Sequence, residues 1–476
     1  MPMSVPHSPN AALSPFLQRA KPMMQSIIAT LEKEYAFVSI LGTDVAGTRY
    51  GLSRYDCTIR DALWNSRGFV IRVYKDGAFS EYAFNHIPDD LNEISEALKF
   101  SKLRSFESFR YPEYEESPLV DSYTGPCLIQ PNTWTVSQHI DAMKNMLARG
   151  LAISEAVVDL KLAIEETEWN KLYLSGKREL SQNYRMVQCY INPIVREGEN
   201  TKYAFRSIAR QGGLEIVEEM EQAIEPTLRE ALMLLKSEPI PPGVYEVICS
   251  PEISGLLAHE AFGHGVEMDM FVKRRAKSVA YLGKPIGSPL VRMHDGARAA
   301  ANQPGSYLFD DEGVLGSDTT IIEDGIFKSG ISDLLSALRL KTPPTGNGRR
   351  ESYERKAYAR MTNTFFQPGK QTKDEMIRSI SDGVLLEKMA SGMEDPKNWG
   401  IQCMIRYGHE IKDGRVTGRV FSPIIMTGYV PDLLADISMV SGDFELSGSG
   451  ACGKGYKEFV KVSDGGPYIK TKARLG

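Results

Sequence analysis

Gly68-Phe69-Val70-Ile71-Arg72-Val73-Tyr74-Lys75-Asp76-Gly77-Ala78-Phe79-Ser80-Glu81-Tyr82-Ala83 reads as two strands joined by a tight turn. The flanks are rich in β-branched and aromatic residues, and Asp-Gly between them is a strong short-range hairpin signal. Upstream, Phe37-Val38-Ser39-Ile40-Leu41 and Gly51-Leu52-Ser53-Arg54-Tyr55 have the same strand character. Before these, residues 11–35 place Phe16, Met23, Met24, Ile27, Ile28 and Leu31 on one helical face. A sheet flanked by helices is therefore expected from the first hundred residues onward.

Downstream the pattern predicts helices over residues 90–100, 136–148 and 152–165. Apolar and polar residues then alternate from 171 to 209, as in Tyr184-Arg185-Met186-Val187-Gln188-Cys189-Tyr190-Ile191. A long acidic amphipathic helix follows over about 214–236, its charges forming a solvated face. Pro239-Ile240-Pro241-Pro242-Gly243 breaks the pattern and marks a domain boundary. Beyond it, strands and turns surround one conspicuous helix, and two more Asp-Gly hairpins are expected at Asp324-Gly325 and Asp413-Gly414. The fold class is α+β. An N-terminal mixed domain, 11–238, has helices packed on an antiparallel-rich sheet; a C-terminal β-rich domain, 243–476, carries the conspicuous helix.

Composition narrows the function class. Hydrophobic residues at 42% and charged residues at 25% are ordinary for a globular protein, and a formal net charge of −5 argues against nucleic acid or an anionic membrane as partner. No apolar run is long enough to span a bilayer. Residues 1–10, with three prolines, read as a disordered lead rather than a secretory signal. The six cysteines have no paired spacing, which suits a reducing, cytoplasmic setting.

Chemistry concentrates in His259-Glu260-Ala261-Phe262-Gly263-His264, inside the conspicuous helix. The zinc-peptidase pattern H-E-x-x-H sets two imidazoles one turn apart on one helical face. Here one residue is added, so on a straight α-helix the imidazoles would diverge by roughly 140°. A local π-type widening closes nearly one turn with five residues and restores a common face, and Gly263 makes that distortion easy. The extra residue therefore predicts a bulge. Glu260 fits the general base that takes a proton from a zinc-activated water. Catalytic zinc needs a third protein ligand, and Cys452, His294, His409, Glu267 and Asp269 are the candidates. Cys452 lies in Gly448-Ser449-Gly450-Ala451-Cys452-Gly453-Lys454-Gly455, where Lys454 would favour the thiolate. Glu267 or Asp269 could instead orient a ligand histidine by accepting its ring N–H.

These residues resemble the TldD/PmbA family, specifically the TldD-type subunit that keeps its metal site. The resemblance runs in order through 259–269 (HEAFGHGVEMD), Asp310-Asp311-Glu312-Gly313, Ile322-Glu323-Asp324-Gly325, Thr345-Gly346-Asn347-Gly348-Arg349-Arg350, Arg360-Met361-Thr362-Asn363-Thr364 and Cys452-Gly453-Lys454-Gly455. It implies a metallopeptidase of short or unfolded peptides, with one Zn2+ held by His259, His264 and Cys452 and Glu260 as catalytic base. It also implies a two-subunit assembly, either a homodimer or a heterodimer with a related subunit. Tyr456 departs from the family's usual glutamine after the cysteine loop.

Three weaker features remain. Asn347, Arg349, Arg350, Arg360 and Asn363 are candidates for substrate contact, because arginine forks match peptide carboxylates. Lys273-Arg274-Arg275 reads as solvated surface, with no aromatic interleaving for nucleic acid. Asp310, Asp311 and Glu312 read as a turn before a strand rather than a second metal site. The rival to a peptidase is a regulatory or binding module with a structural, four-ligand metal site acting on a protein partner; His294 or His409 would then complete the set.

Overall fold

The computed structural model describes residues 13–86, 92–102, 109–448, 450–455 and 458–476. The expected lead, 1–10, and Tyr456 lie outside them. The N-terminal half is built on a nine-stranded sheet. Its main path runs Ala78–Phe84, Ser66–Lys75, Phe37–Leu52, Val157–Ser175, Arg178–Glu197 and Leu119–Thr124. Every pairing along it is antiparallel except the last. The opening hairpin closes as expected, with Lys75 opposite Ala78 and both Asp76 and Gly77 at positive φ. The Asp324-Gly325 and Asp413-Gly414 turns repeat that geometry.

Helices Pro15–Leu31, Val136–Leu151 and Glu215–Leu234 cover one face of this sheet. Successive strand residues point to opposite faces, so Ile40 and Leu174 meet the helices. Their neighbours Leu41 and Tyr173 turn the other way, against Tyr307, Leu308 and Phe309 of the C-terminal half. Double coverage explains one departure from expectation. Residues 152–165 do not form a helix: the preceding helix ends at Leu151, and Val157–Ser175 is a central strand. A strand buried on both faces loses its alternation and cannot be told from a buried helix by periodicity.

The C-terminal half begins at strand Gly243–Cys249, which pairs in parallel with Asp382–Glu394 and antiparallel with Ile469–Leu475. From there the order passes through Gly400–Lys412 and Ile424–Tyr429 and returns to Ile469–Leu475. Five strands therefore close into a ring. Val247, Cys249, Val384, Leu386, Cys403 and Met426 join the largest apolar core of the protein. A six-stranded sheet containing Met293–Asp295, Asn363–Phe366 and Ser463–Gly466 packs beside it.

The proline-rich link at 239–242 does not join loose modules. Arg72 of the first sheet pairs with Glu312, Lys171 with Asp311, and Arg350 reaches back to Glu81 at 2.5 Å. Gln182 accepts from the backbone N–H of Leu308 at 3.0 Å and donates to the Phe309 carbonyl at 3.1 Å. The Asp310-Asp311-Glu312-Gly313 segment thus serves this seam. Asp310 accepts from the backbone N–H groups of Glu312, Val314 and Gly348, which is the turn expected there.

Candidate metal centre

Strand Gly243–Cys249 leads directly into helix Pro251–Leu256, where proline in the first turn suits a missing donor. The next seven residues, Leu257–Gly263, widen into a π-helix, and the His264 backbone N–H bonds to the His259 carbonyl five residues back. The insertion predicted from the histidine spacing is therefore accommodated as a bulge. Gly263 is required there by close approach as well as by flexibility. A Cβ at that position would stand 2.2 Å from Met361 Sδ and 3.0 Å from the Ala258 carbonyl oxygen.

The widened turn brings the imidazoles of His259 and His264 together, their ring centroids 5.2 Å apart and their planes at 86°. Cys452 arrives from hairpin Ala451–Lys454/Glu458–Lys461, with Sγ 3.5 Å from His264 Nε2. One ligand atom from each of the three lies within 4.8 Å of the others. Tetrahedral zinc with two nitrogens and a thiolate sets its donors about 3.3–3.8 Å apart, so these groups fit the ion after a small contraction. Among the described residues no fourth histidine, cysteine or carboxylate joins the set. His294 is engaged with Asp318 at 2.7 Å, and His409 lies edge-on to Tyr407, both on strand Gly400–Lys412.

Electrostatics hold Cys452 in the thiolate form that a metal takes. Burial pushes the Cys452 thiol up, but the His264 and His259 imidazoles outweigh it and hold the thiol well below its ordinary value. Burial opposes protonation of both histidines, while the Cys452 thiolate raises His259 to about 9 and His264 well above its usual range. The expected role of Lys454 is different in detail. Its ammonium meets Glu267 at 2.9 Å, Asp269 at 2.6 Å and the Ala359 carbonyl at 2.9 Å, and it is the histidines that stabilise the thiolate.

Glu267 Oε2 faces His264 Nδ1 at 3.3 Å, the outer-sphere contact that orients a ligand imidazole. Burial raises the Glu267 carboxyl, but Lys454 and His264 bring it down to about 2. Asp269 binds Lys454 and Lys273 and does not reach a ligand histidine. Sequence reasoning missed Asp464, whose Oδ2 lies 3.8 Å from His259 Nδ1, a buried nitrogen with no hydrogen-bond partner. Burial raises the Asp464 carboxyl to about 6, against the pull of His259. Nothing local in the sequence marks it, since it comes from strand Ser463–Gly466 of the adjoining sheet.

His259, His264, Cys452 and Glu260 line a cavity of about 810 Å3, between the end of strand Asp382–Glu394 and the cysteine hairpin. None of Asn347, Arg349, Arg350, Arg360 and Asn363 lines it. Asn347 donates to Asp295 and the Arg360 carbonyl, and Asn363 to Gly296 and Ser306. Arg349 donates to the carbonyls of Met361 and Lys461, and Arg350 to Glu81 and the Arg355 carbonyl. Arg360 is 1% exposed and donates to the carbonyls of Cys452 and Glu458, so it pins the cysteine hairpin from behind.

Residues 242–473 match the PmbA/TldA metallopeptidase C-terminal domain. A metalloprotease of Synechocystis sp. is 30% identical over 468 residues, covering 96% of this chain and 98% of the relative. The chain belongs to the TldD/PmbA family. Within it, a zinc metalloprotease TldD homolog of Saccharolobus solfataricus is 32% identical over 311 residues, covering 65% of this chain and 68% of the relative. The crystal structure of TldE from Thermococcus kodakarensis shares the fold, with a TM-score of 0.72 at 18% identity over 95% of this chain and 100% of that one. Family members named as metalloproteases thus resemble this chain along nearly its whole length, and no helix among the described residues is long and apolar enough to cross a membrane.

Proposed function

We propose that this chain is a zinc-dependent peptidase acting on short or unfolded peptides, with His259, His264 and Cys452 as metal ligands and Glu260 as general base. The observation that carries this reading is the meeting of two imidazoles and a thiolate beside a half-buried glutamate on one cavity. Zinc held there supplies Lewis acidity at a peptide carbonyl and acidifies a water molecule. Glu260 would take a proton from the attacking water on its carboxylate and deliver it to the departing amine nitrogen. Glu267 fixes the His264 ring through Nδ1, and Asp464 faces the corresponding atom of His259.

Strand Asp382–Glu394 offers the docking edge. Residues 383–386 pair with Gly243–Cys249, but beyond them, among the described residues, only Gly400–Lys412 pairs with the strand. The other edge of 391–394 lies along the cavity. An extended peptide added there gains backbone hydrogen bonds with little demand on side chains, which suits unfolded substrates. The family resemblance implies a second, related subunit as partner; a homodimer is the alternative. Three protein ligands leave a fourth coordination position for chemistry, which favours catalysis over a structural metal.

Metal analysis combined with peptide cleavage by Glu260→Gln tests the reading. Zinc near one per chain, with cleavage lost in the variant, is expected. Retained zinc with unchanged cleavage would remove Glu260 from the mechanism.

A further inference from the structure

One wall of the cavity carries a carboxylate that the proposed chemistry does not use. Glu394 ends strand Asp382–Glu394, and both of its carboxylate oxygens are buried without a hydrogen-bond partner. The indole Nε1 of the fully buried Trp399 is likewise unpartnered. The two groups converge above Gly265: a Cβ built there would lie 3.3 Å from Glu394 Oε1 and 3.7 Å from Trp399 Nε1. Buried polar groups in a native protein normally have partners, and a carboxylate without one lacks a donor. Glu394 lines the same cavity as His259, His264 and Cys452, so a bound ligand can supply that donor.

Geometry along the strand defines the donor. Gly392, two residues before Glu394, packs on Glu260: a Cβ at Gly392 would stand 2.6 Å from Glu260 Cγ. Gly392 and Glu394 share one face of the strand, because side chains alternate. About 6.6 Å of strand therefore separates Gly392, where Glu260 packs, from Glu394. A peptide running antiparallel to 389–394 brings its amino terminus to the Glu394 end. A parallel peptide would bring a carboxylate to a place where burial, Glu260 and Glu267 already push the Glu394 carboxyl up to about 9 against the pull of His264, whereas an ammonium there favours its ionised form.

We propose that Glu394 receives the free α-amino group of the bound peptide and so makes this chain an exopeptidase working from the amino end. The proposal rests on the peptidase reading above. The bond broken is the first or second peptide C–N bond from that amine; water adds its hydroxyl to the carbonyl carbon and a proton to the departing nitrogen. A charge-assisted bond between ammonium and a buried carboxylate distinguishes a free amino terminus from a blocked one by about tenfold or more in affinity.

The test measures binding separately from cleavage. Zinc-loaded full-length Glu260→Gln is titrated calorimetrically with tetra-alanine amide and with its N-acetyl form. Tighter binding of the free form by about tenfold, with the preference lost in Glu260→Gln/Glu394→Gln at unchanged melting temperature and zinc content, is expected. An equal preference in both proteins overturns the proposal. N-acetyl peptides carrying lysine or norleucine separate the two sources of an ammonium: if lysine alone restores tight binding in a Glu394-dependent way, a side chain rather than the amino terminus is the ligand, and the proposal falls. Should Glu394→Gln not fold, Glu394→Asp takes its place, with a reduced preference expected and an unchanged one counting against the proposal. If the free-amine preference depends on Glu394 but the wild type cleaves neither peptide, the peptidase reading fails while the amine site stands.

Discussion

Lys454 Nζ lies 2.9 Å from Glu267 Oε2, joining the residue two places after Cys452 to the residue three places after His264. Glu267 also receives His264, so one carboxylate orients an imidazole and anchors the hairpin that delivers the thiolate. Lys454→Met leaves the buried Glu267 without its ammonium, while Asp269 keeps Lys273. Removing one partner of a buried ion pair costs about 3–5 kcal/mol, and disturbing an outer-sphere contact weakens metal binding about 10- to 100-fold. Urea unfolding and a competitive zinc chelator assay check the two effects. Undiminished zinc affinity would show that the hairpin holds its position without Lys454.

Gly263→Ala tests the π-widened turn. The added methyl meets Met361 Sδ at 2.2 Å inside a packed core. A loss of about 1–3 kcal/mol is expected, together with weaker zinc binding as the bulge shifts His264. Met361→Ala in the same chain relieves the clash, so the double variant should regain part of the zinc affinity. Additive losses in the double variant would place the strain elsewhere.

The seam between the two halves predicts a specific acid sensitivity. Burial raises the Glu81 carboxyl, but Arg350 and Arg72 bring it down to about 2 from an ordinary 4.5. Because the folded value is depressed, the stabilisation is fully present above pH 4.5 and is lost as pH falls from 4.5 through 2. The shift corresponds to about 3 kcal/mol at most, less whatever solvent screens, since 28% of the Glu81 side chain is exposed. Denaturant midpoints of wild type and Glu81→Gln should differ at pH 7 and converge toward pH 2.5. A constant gap would mean that the ion pairs do not set the difference.

Metal removal should leave the chain folded. His259, His264 and Cys452 stand on elements held by the large apolar core, and Arg360 fastens the cysteine hairpin independently of any ion. Chelation is expected to preserve the circular dichroism spectrum and to lower the melting temperature by an amount that grows with the zinc concentration of the reference sample. Collapse of the spectrum on chelation would make the metal structural and revive the regulatory reading.

Features written in contiguous residues were legible in the sequence. The three Asp-Gly turns, the helix at Glu215–Leu234 and the widening at Gly263 each follow from a few adjacent residues. Contacts made across the fold were not. Residues 152–165 passed for a helix because burial on both faces of strand Val157–Ser175 erased its period. Arg350 and Asn363 looked like ligand-binding side chains because nothing local shows that Glu81 and Gly296 take them up. Asp464 and Glu394 reach the centre from separate strands, and no motif surrounds either. The placement of Cys452 was only one of five options by local chemistry; the family resemblance selected it.

The hairpin that brings Cys452 to the histidines has a consequence in time. Cys452 follows His264 by 188 residues, and the strand that completes the five-stranded ring comes later still. At ordinary synthesis rates the ribosome needs about 10–40 s to pass from one ligand to the other. Throughout that interval the emerging chain holds two histidines and a glutamate but no thiolate and no finished cleft. The proposed peptidase is thus silent until its own chain is nearly complete.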